Sequence, residues 1–150
     1  MRINQYAYLG LTSEVLTPAD MTARLGLAPD EERPMGSRRL HPPVPKLHQW
    51  KIRPPVTDPA RVDVLLEALV ERLDAHAAAI GQLVASGAAH ATIAVVRYLD
   101  AADGATEAHD DAGGLVTLTG QHQLLGFHLG YRVLDFARRA GADFDFDEYG

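Results

Sequence analysis

Between residues 5 and 11 the apolar Ala7, Leu9 and Leu11 alternate with Tyr6 and Tyr8, a period of two that predicts a strand with one buried face. Thr17, Pro18 and Asp20 follow, ahead of Met21 and Leu25. A threonine cap, a proline in the first turn and an acid three residues after the cap predict a short helix that stops at Gly26. Across 28–47 the periodicity is lost in a proline-rich run, and a long surface loop is expected because proline removes a backbone donor and fixes φ. Trp50 and Ile52 then alternate with Gln49, Lys51 and Arg53, which predicts a short strand with one buried face.

Val62, Leu65, Leu66, Leu69, Val70 and Leu73 recur at three and four residues, the stripe of an amphipathic helix. Thr57 or Asp58 is the expected cap, with Pro59 in the first turn. The stripe thins over 74–79 and resumes at Ile80, Leu83 and Val84, so a bend or a second helix is expected, ending near Gly87. Residues 91–99 are apolar on both faces and rich in β-branched side chains, as an interior strand requires. The acidic, glycine-rich stretch that follows reads as a flexible insertion at 100–123 within a single domain spanning 1–150. Short strands are expected at 115–119 and 124–129. A helix over 131–139 should bury Val133, Leu134, Phe136 and Ala137, with Arg138 and Arg139 at its negative end and Gly141 as its stop. A last strand, 142–148, sets Phe144 and Phe146 on one face and Asp143, Asp145 and Asp147 on the other. The predicted architecture is α+β: an antiparallel or mixed sheet with helices packed on one face, of the ferredoxin-like type, in which strand–helix–strand recurs twice.

Composition narrows the function classes. The 150 residues contain no cysteine, which removes disulfides, thiolate nucleophiles and cysteine-ligated zinc and favours a cytoplasmic protein. No apolar run is long enough to span a membrane, and the N-terminus lacks the pattern of a secretion signal. A formal net charge of −6 argues against tracking nucleic-acid phosphates and makes a cationic partner electrostatically easier.

Several blocks together resemble a bacterial family catalogued as domain of unknown function 4279. They are strand one with its tyrosines, TPADMTARLGLAP at 17–29, Trp50 in its short strand, the leucine-rich helix over 62–73, and GFHLGYRVLDFARRAGADFDFDEYG at the end. The resemblance implies an α+β domain and assigns no activity, and the inserted 103–123 stretch departs from the family pattern.

Candidate chemistry is sparse. Ser13, Ser37 and Ser86 occupy no G-x-S-x-G turn, and the glycines form neither a P-loop nor a dinucleotide fingerprint, so no catalytic residue and no cofactor is assigned. Asp143, Asp145 and Asp147 could share a hard cation, or form a solvated edge-strand face that discourages aggregation. His109, Asp110, Asp111, His122 and His128 offer metal-ligating types without a recognised spacing, as do His41 and His48. Arg33, Arg38 and Arg39, with Lys46 and Arg24 nearby, could receive an anion or pair with the chain's own acids. Trp50 is either an exposed anchor or a core residue with its indole nitrogen satisfied. The leading expectation is a protein-interaction module, in the manner of a toxin-neutralising immunity protein, using Arg33, Arg38, Arg39, Trp50, Asp143, Asp145 and Asp147 toward a basic partner. The alternatives are a small-ligand or metal-binding domain with hydrolytic activity, and a homodimer paired through strand one or the terminal strand.

Overall fold

The computed structural model describes residues 2–36, 46–56, 60–100 and 126–150. Its elements run β1 (Arg2–Ser13), α1 (Pro18–Leu25), β2 (Glu31–Arg33), β3 (His48–Ile52), α2 (Val62–Leu73), a 3-10 turn (Asp74–His76), α3 (Ala77–Ala85), β4 (His90–Asp100), α4 (Tyr131–Ala140) and β5 (Ala142–Tyr149). The strands form one mixed sheet in the order β2-β3-β1-β4-β5. Neighbours are antiparallel except β4 and β5, which run parallel with Thr92 beside Asp143, Ala94 beside Asp145 and Val96 beside Asp147. The fold is therefore α+β with a mixed sheet. The two strand–helix–strand passages are not copies of each other: β4–α4–β5 is a parallel crossover, whereas the chain from β1 through α1 and β2 returns antiparallel in β3.

Side-chain alternation sorts the sheet into two unlike faces. Ala7, Leu9 and Leu11 of β1, Trp50 and Ile52 of β3, and Ala91, Ile93 and Val95 of β4 point one way. They join the buried residues of all four helices in one core cluster, and Ala142 and Phe144 of β5 pack against it. Ala94 and Val96 are also buried but lie on the opposite face, outside that cluster.

Helix α1 is capped as its residues require. Thr17 Oγ1 accepts from the Asp20 N–H at 3.2 Å, Asp20 Oδ2 accepts from the Thr17 N–H at 3.0 Å, and Gly26 enters the left-handed region at φ 63°. The bend expected near residue 74 is the 3-10 turn. Helix α2 begins one turn later than the proline pattern implies, with Arg61 as a cap whose side chain makes no capping bond and pairs with Asp63 instead; residues 57–59, the expected cap, lie outside the described residues. The charged Glu31–Arg33 stretch, expected as loop, is edge strand β2, because antiparallel pairing with β3 satisfies backbone groups that no local pattern advertised. Conversely 126–130 is irregular rather than strand, although Phe127 and Leu129 still pack on the core. Leu134 is exposed, since α4 buries Val133, Phe136, Ala137 and Ala140 at helical spacing and Leu134 falls outside that stripe. The strand expected at 115–119 and the 100–123 insertion fall almost wholly outside the described residues.

Helices α3 and α4 cross at Gly81, where a Cβ would stand 2.2 Å from the Arg139 carbonyl oxygen. Arg139 anchors the same junction through Asp135 at 2.8 Å and through Asp74 of the 3-10 turn. Substituting Gly81→Ala should force the helices apart and cost about 1–3 kcal/mol or more, measured as a lower midpoint in urea unfolding.

Asp30 links the start of β2 to the end of α2. Its carboxylate receives the Arg72 guanidinium at 2.7 and 3.1 Å and the Arg53 N–H at 2.7 Å. The Arg72 hydrogen bonds, ahead of that from Arg53 and against a desolvation contribution, hold the carboxyl below the usual aspartate range. A depressed folded pKa stabilises above the unfolded value and is lost as pH falls through the lower folded one. Asp30→Asn should therefore be less stable than wild type at neutral pH, and the difference should shrink below about pH 4, read from urea midpoints across the acid range.

Candidate functional site

The face of the sheet opposite the helices carries no helix among the described residues, and its composition follows from the register. Crossing from β3 to β5, Lys51 stands beside Gly10, Gly10 beside Thr92, and Thr92 beside Asp143. One step along the strands come Tyr8, Ala94 and Asp145, then Tyr6, Val96 and Asp147, and then Asn4, Tyr98 and Tyr149. The small residues Gly10 and Ala94 make a floor, and the larger neighbours rise around it. The result is a trough of about 190 Å³ lined by Tyr8, Thr12, Gln49, Lys51, Thr92 and Asp145.

Gly10 is needed for this shape. A Cβ there would lie 3.3 Å from Tyr8 Cε2, so the ring reclines over the glycine and would have to shift to admit a side chain. Lys51 Nζ lies 4.6 Å from the Tyr8 ring centroid, within cation–π range. Burial raises the Tyr8 pKa, with Asp145 and Asp147 adding to the shift, and burial lowers that of Lys51 against the pull of Glu31. Both shifts place the trough in a partly desolvated setting with the aspartates close enough to act on it.

Beyond the trough the face is aromatic. Tyr6 stacks with Tyr8 at 6.3 Å and Tyr98 with Tyr149 at 5.1 Å. Tyr6 and Tyr98 are diagonal neighbours across β1 and β4, which joins the two pairs into one row, and burial, then the charge and hydroxyl of Tyr98, raise the Tyr6 pKa. Tyr6, Tyr98 and Tyr149 are 39%, 43% and 51% exposed.

Charge divides across the same face. On the β2–β3 side Arg33 and Arg53 both pair with Glu31, at 2.7 and 2.9 Å, and Lys51 stands opposite Glu31 in register. Three cations thus surround one carboxylate. On the β5 side Asp143, Asp145 and Asp147 are exposed, and Asp143 meets His90 Nε2 at 3.4 Å.

The residues expected from sequence divide accordingly. Asp143, Asp145, Asp147 and Arg33 lie on the helix-free face; Arg38 and Arg39 fall outside the described residues. Trp50 is not a surface anchor: it is fully buried on the helix side, and its indole N–H donates to Thr22 Oγ1 at 3.1 Å. Among the histidines, His48 Nδ1 accepts from the Met35 N–H at 3.0 Å and His76 Nδ1 lies 3.1 Å from the Leu25 carbonyl. His41, His109 and His122, with Asp110 and Asp111, are outside the described residues. Among the described residues no group of three His, Cys, Asp or Glu converges as a metal site would need. The trough itself, made by Gly10, Lys51 and Asp145 from three strands, escaped sequence reasoning; an isolated glycine inside an alternating strand was its one local signal.

Arg97 is a buried charge on the core face. It is 4% exposed, with Nη1 donating to Glu148 at 2.5 Å, Nε donating to Gln5 at 3.3 Å, and the guanidinium 5.6 Å from the Phe127 ring centroid. It ties the β4–β5 end of the sheet to the segment before α4.

Fold and site define a class: an α+β protein whose mixed sheet is covered by helices on one side and presents tyrosines and divided charge on the other. The chain belongs to the family described as Domain of unknown function (DUF4279), whose model matches residues 3–150. Comparison with curated proteins and with solved structures finds no match. No helix among the described residues is long and apolar enough to cross a membrane.

Trp50 is the sole tryptophan, so its burial has a direct readout. Native emission should be blue-shifted and poorly quenched by iodide, and should move to the red with full quenching on unfolding. Emission already red and quenchable in the native state would contradict the placement.

Proposed function

We propose that the chain is a cytoplasmic protein-recognition module that binds a protein partner through the helix-free face of its sheet. The observation that carries this reading is the row Tyr8, Tyr6, Tyr98 and Tyr149, three of them substantially exposed, beside the three aspartates of β5. Tyrosines supply large contact area with few rotatable bonds and are enriched at energetically dominant interface positions. Aspartates at the border steer a basic surface into place and enforce its orientation. The mutual stacking of the tyrosines also limits the side-chain entropy lost on docking.

The trough of about 190 Å³ is smaller than the roughly 300–1,000 Å³ of ordinary small-molecule pockets and suits one inserted side chain better than a whole ligand. The partner's contribution is thus a basic patch with an adjoining apolar side chain.

Three tagged proteins test the reading: wild type, Asp145→Lys/Asp147→Lys, and Tyr131→Ala on the exposed side of α4. Wild type and Tyr131→Ala should retain the same protein at stoichiometric amounts, released by salt. The aspartate variant should bind it about tenfold or more weakly, because charge reversal sets two lysines against a basic surface. Equal retention by all three, or loss only with Tyr131→Ala, would refute the assignment to this face.

A further inference from the structure

The distribution of charge on the helix-free face narrows the partner. β1 is the middle strand of five, with β3 and β2 on one side and β4 and β5 on the other. Arg33, Lys51 and Arg53, gathered around Glu31, occupy the first side; Asp143, Asp145 and Asp147 occupy the second. The neutral Tyr6, Tyr8, Gly10, Thr12, Thr92, Ala94, Val96 and Tyr98 lie between them. Charge therefore changes sign across β1.

A face of this kind complements itself. When two copies meet face to face about a two-fold axis parallel to β1, the β2–β3 side of each lies over the β4–β5 side of the other. Position along the strands is kept, so the tyrosine end of one sheet meets the tyrosine end of the other. A two-fold axis perpendicular to the strands would instead set β5 over β5 and oppose the two aspartate rows. Electrostatics thus selects one isologous arrangement.

Resting on the recognition reading above, we infer that the basic surface the aspartates meet is the β2–β3 side of a second copy of this chain, in a two-fold, sheet-to-sheet homodimer. On the axis the pairing buries the exposed Tyr6 ring against its counterpart, while Tyr98 and Tyr149 of each copy are directed toward the β2–β3 side of the other. Strands of 3, 5, 12, 11 and 8 residues, about 4.8 Å apart at roughly 3.3 Å per residue, give a face on the order of 600 Å² per protomer. That lies below the ~800 Å² per partner of standard specific interfaces, so the dimer is a weak one whose population depends on concentration. Face-to-face contact differs from pairing through the strand edges, because the aspartates leave the β5 edge poorly suited to backbone addition.

Sedimentation velocity over a series from micromolar to submillimolar protein tests the inference with two reversed variants, Lys51→Glu/Arg53→Glu and Asp145→Lys/Asp147→Lys. Wild type should shift from monomer to dimer across the series. Each variant alone should dimerise at least tenfold more weakly, because both copies then present like charges. Mixed in equal amounts, the two variants should recover dimer to within a few-fold of wild type, since each restores what the other lost. Trp50 emission verifies that each variant is folded; Lys51→Gln and Asp145→Asn replace any that is not, with partial weakening expected. A wild type that stays monomeric, variants that dimerise like wild type, or a mixture that remains monomeric overturns the inference. A monomeric wild type whose aspartate variant still loses a foreign protein in the capture experiment refutes the self-pairing and leaves the recognition face intact; loss of both results refutes both.

Discussion

One face of the sheet takes most of the apolar side chains that β1, β3 and β4 can offer, and every helix among the described residues covers it. Leu9, Leu11, Trp50, Ile52 and Ile93 are fully buried on that side, and alternation leaves the other side to tyrosines, threonines and charges around the buried Ala94 and Val96. Closing the core over a five-stranded sheet then requires tight helix packing. Gly81 lets α3 approach the α4 backbone more closely than any side chain would allow, and Asp74, Asp135 and Arg139 hold the crossing in place. The helix-free face is the counterpart of this one-sided burial.

Two polar arrangements show how the division is kept at its borders. Arg97 sits on the core face yet is buried, and a carboxylate, an amide and an aromatic ring share its guanidinium; removing one partner from such a charge is far more costly than the pair is stabilising. Lys51 sits on the other face and is only half buried, spread over Tyr8 with its charge lowered in favour by desolvation. The first fastens the end of the sheet, and the second shapes a surface. The aspartates of β5 and the cations gathered around Glu31 stand on the face away from the core, where a second molecule can reach them.

Much of the fold could be read from the residues. The alternation of β1 and β5, the capping of α1 by Thr17 and Asp20, the stripe of α2 and the stop at Gly141 are local effects, and local pattern predicts them. What escaped depends on pairing or on distant packing. Edge strand β2 has only charged residues and exists because β3 offers it hydrogen bonds. Leu134 reads as apolar but lies off the stripe that α3 and α2 contact. The site was legible in part: the aspartate row and the two tyrosines of β1 were visible as faces, and parity put Trp50 among core candidates. That Lys51, Gly10 and Asp145 surround one trough required the strand order, which no local pattern contains.

The helix-free face is the surface through which two copies of this protein are inferred to meet. Amide chemical shifts of uniformly labelled protein, followed by NMR through a dilution series, test that directly. Concentration-dependent shifts confined to the open-face positions of β1, β3, β4 and β5, led by Tyr6, Tyr8, Lys51 and Asp145, are the predicted result. Shifts gathered instead on the outer surfaces of α2, α3 and α4, or none at any concentration, would contradict it.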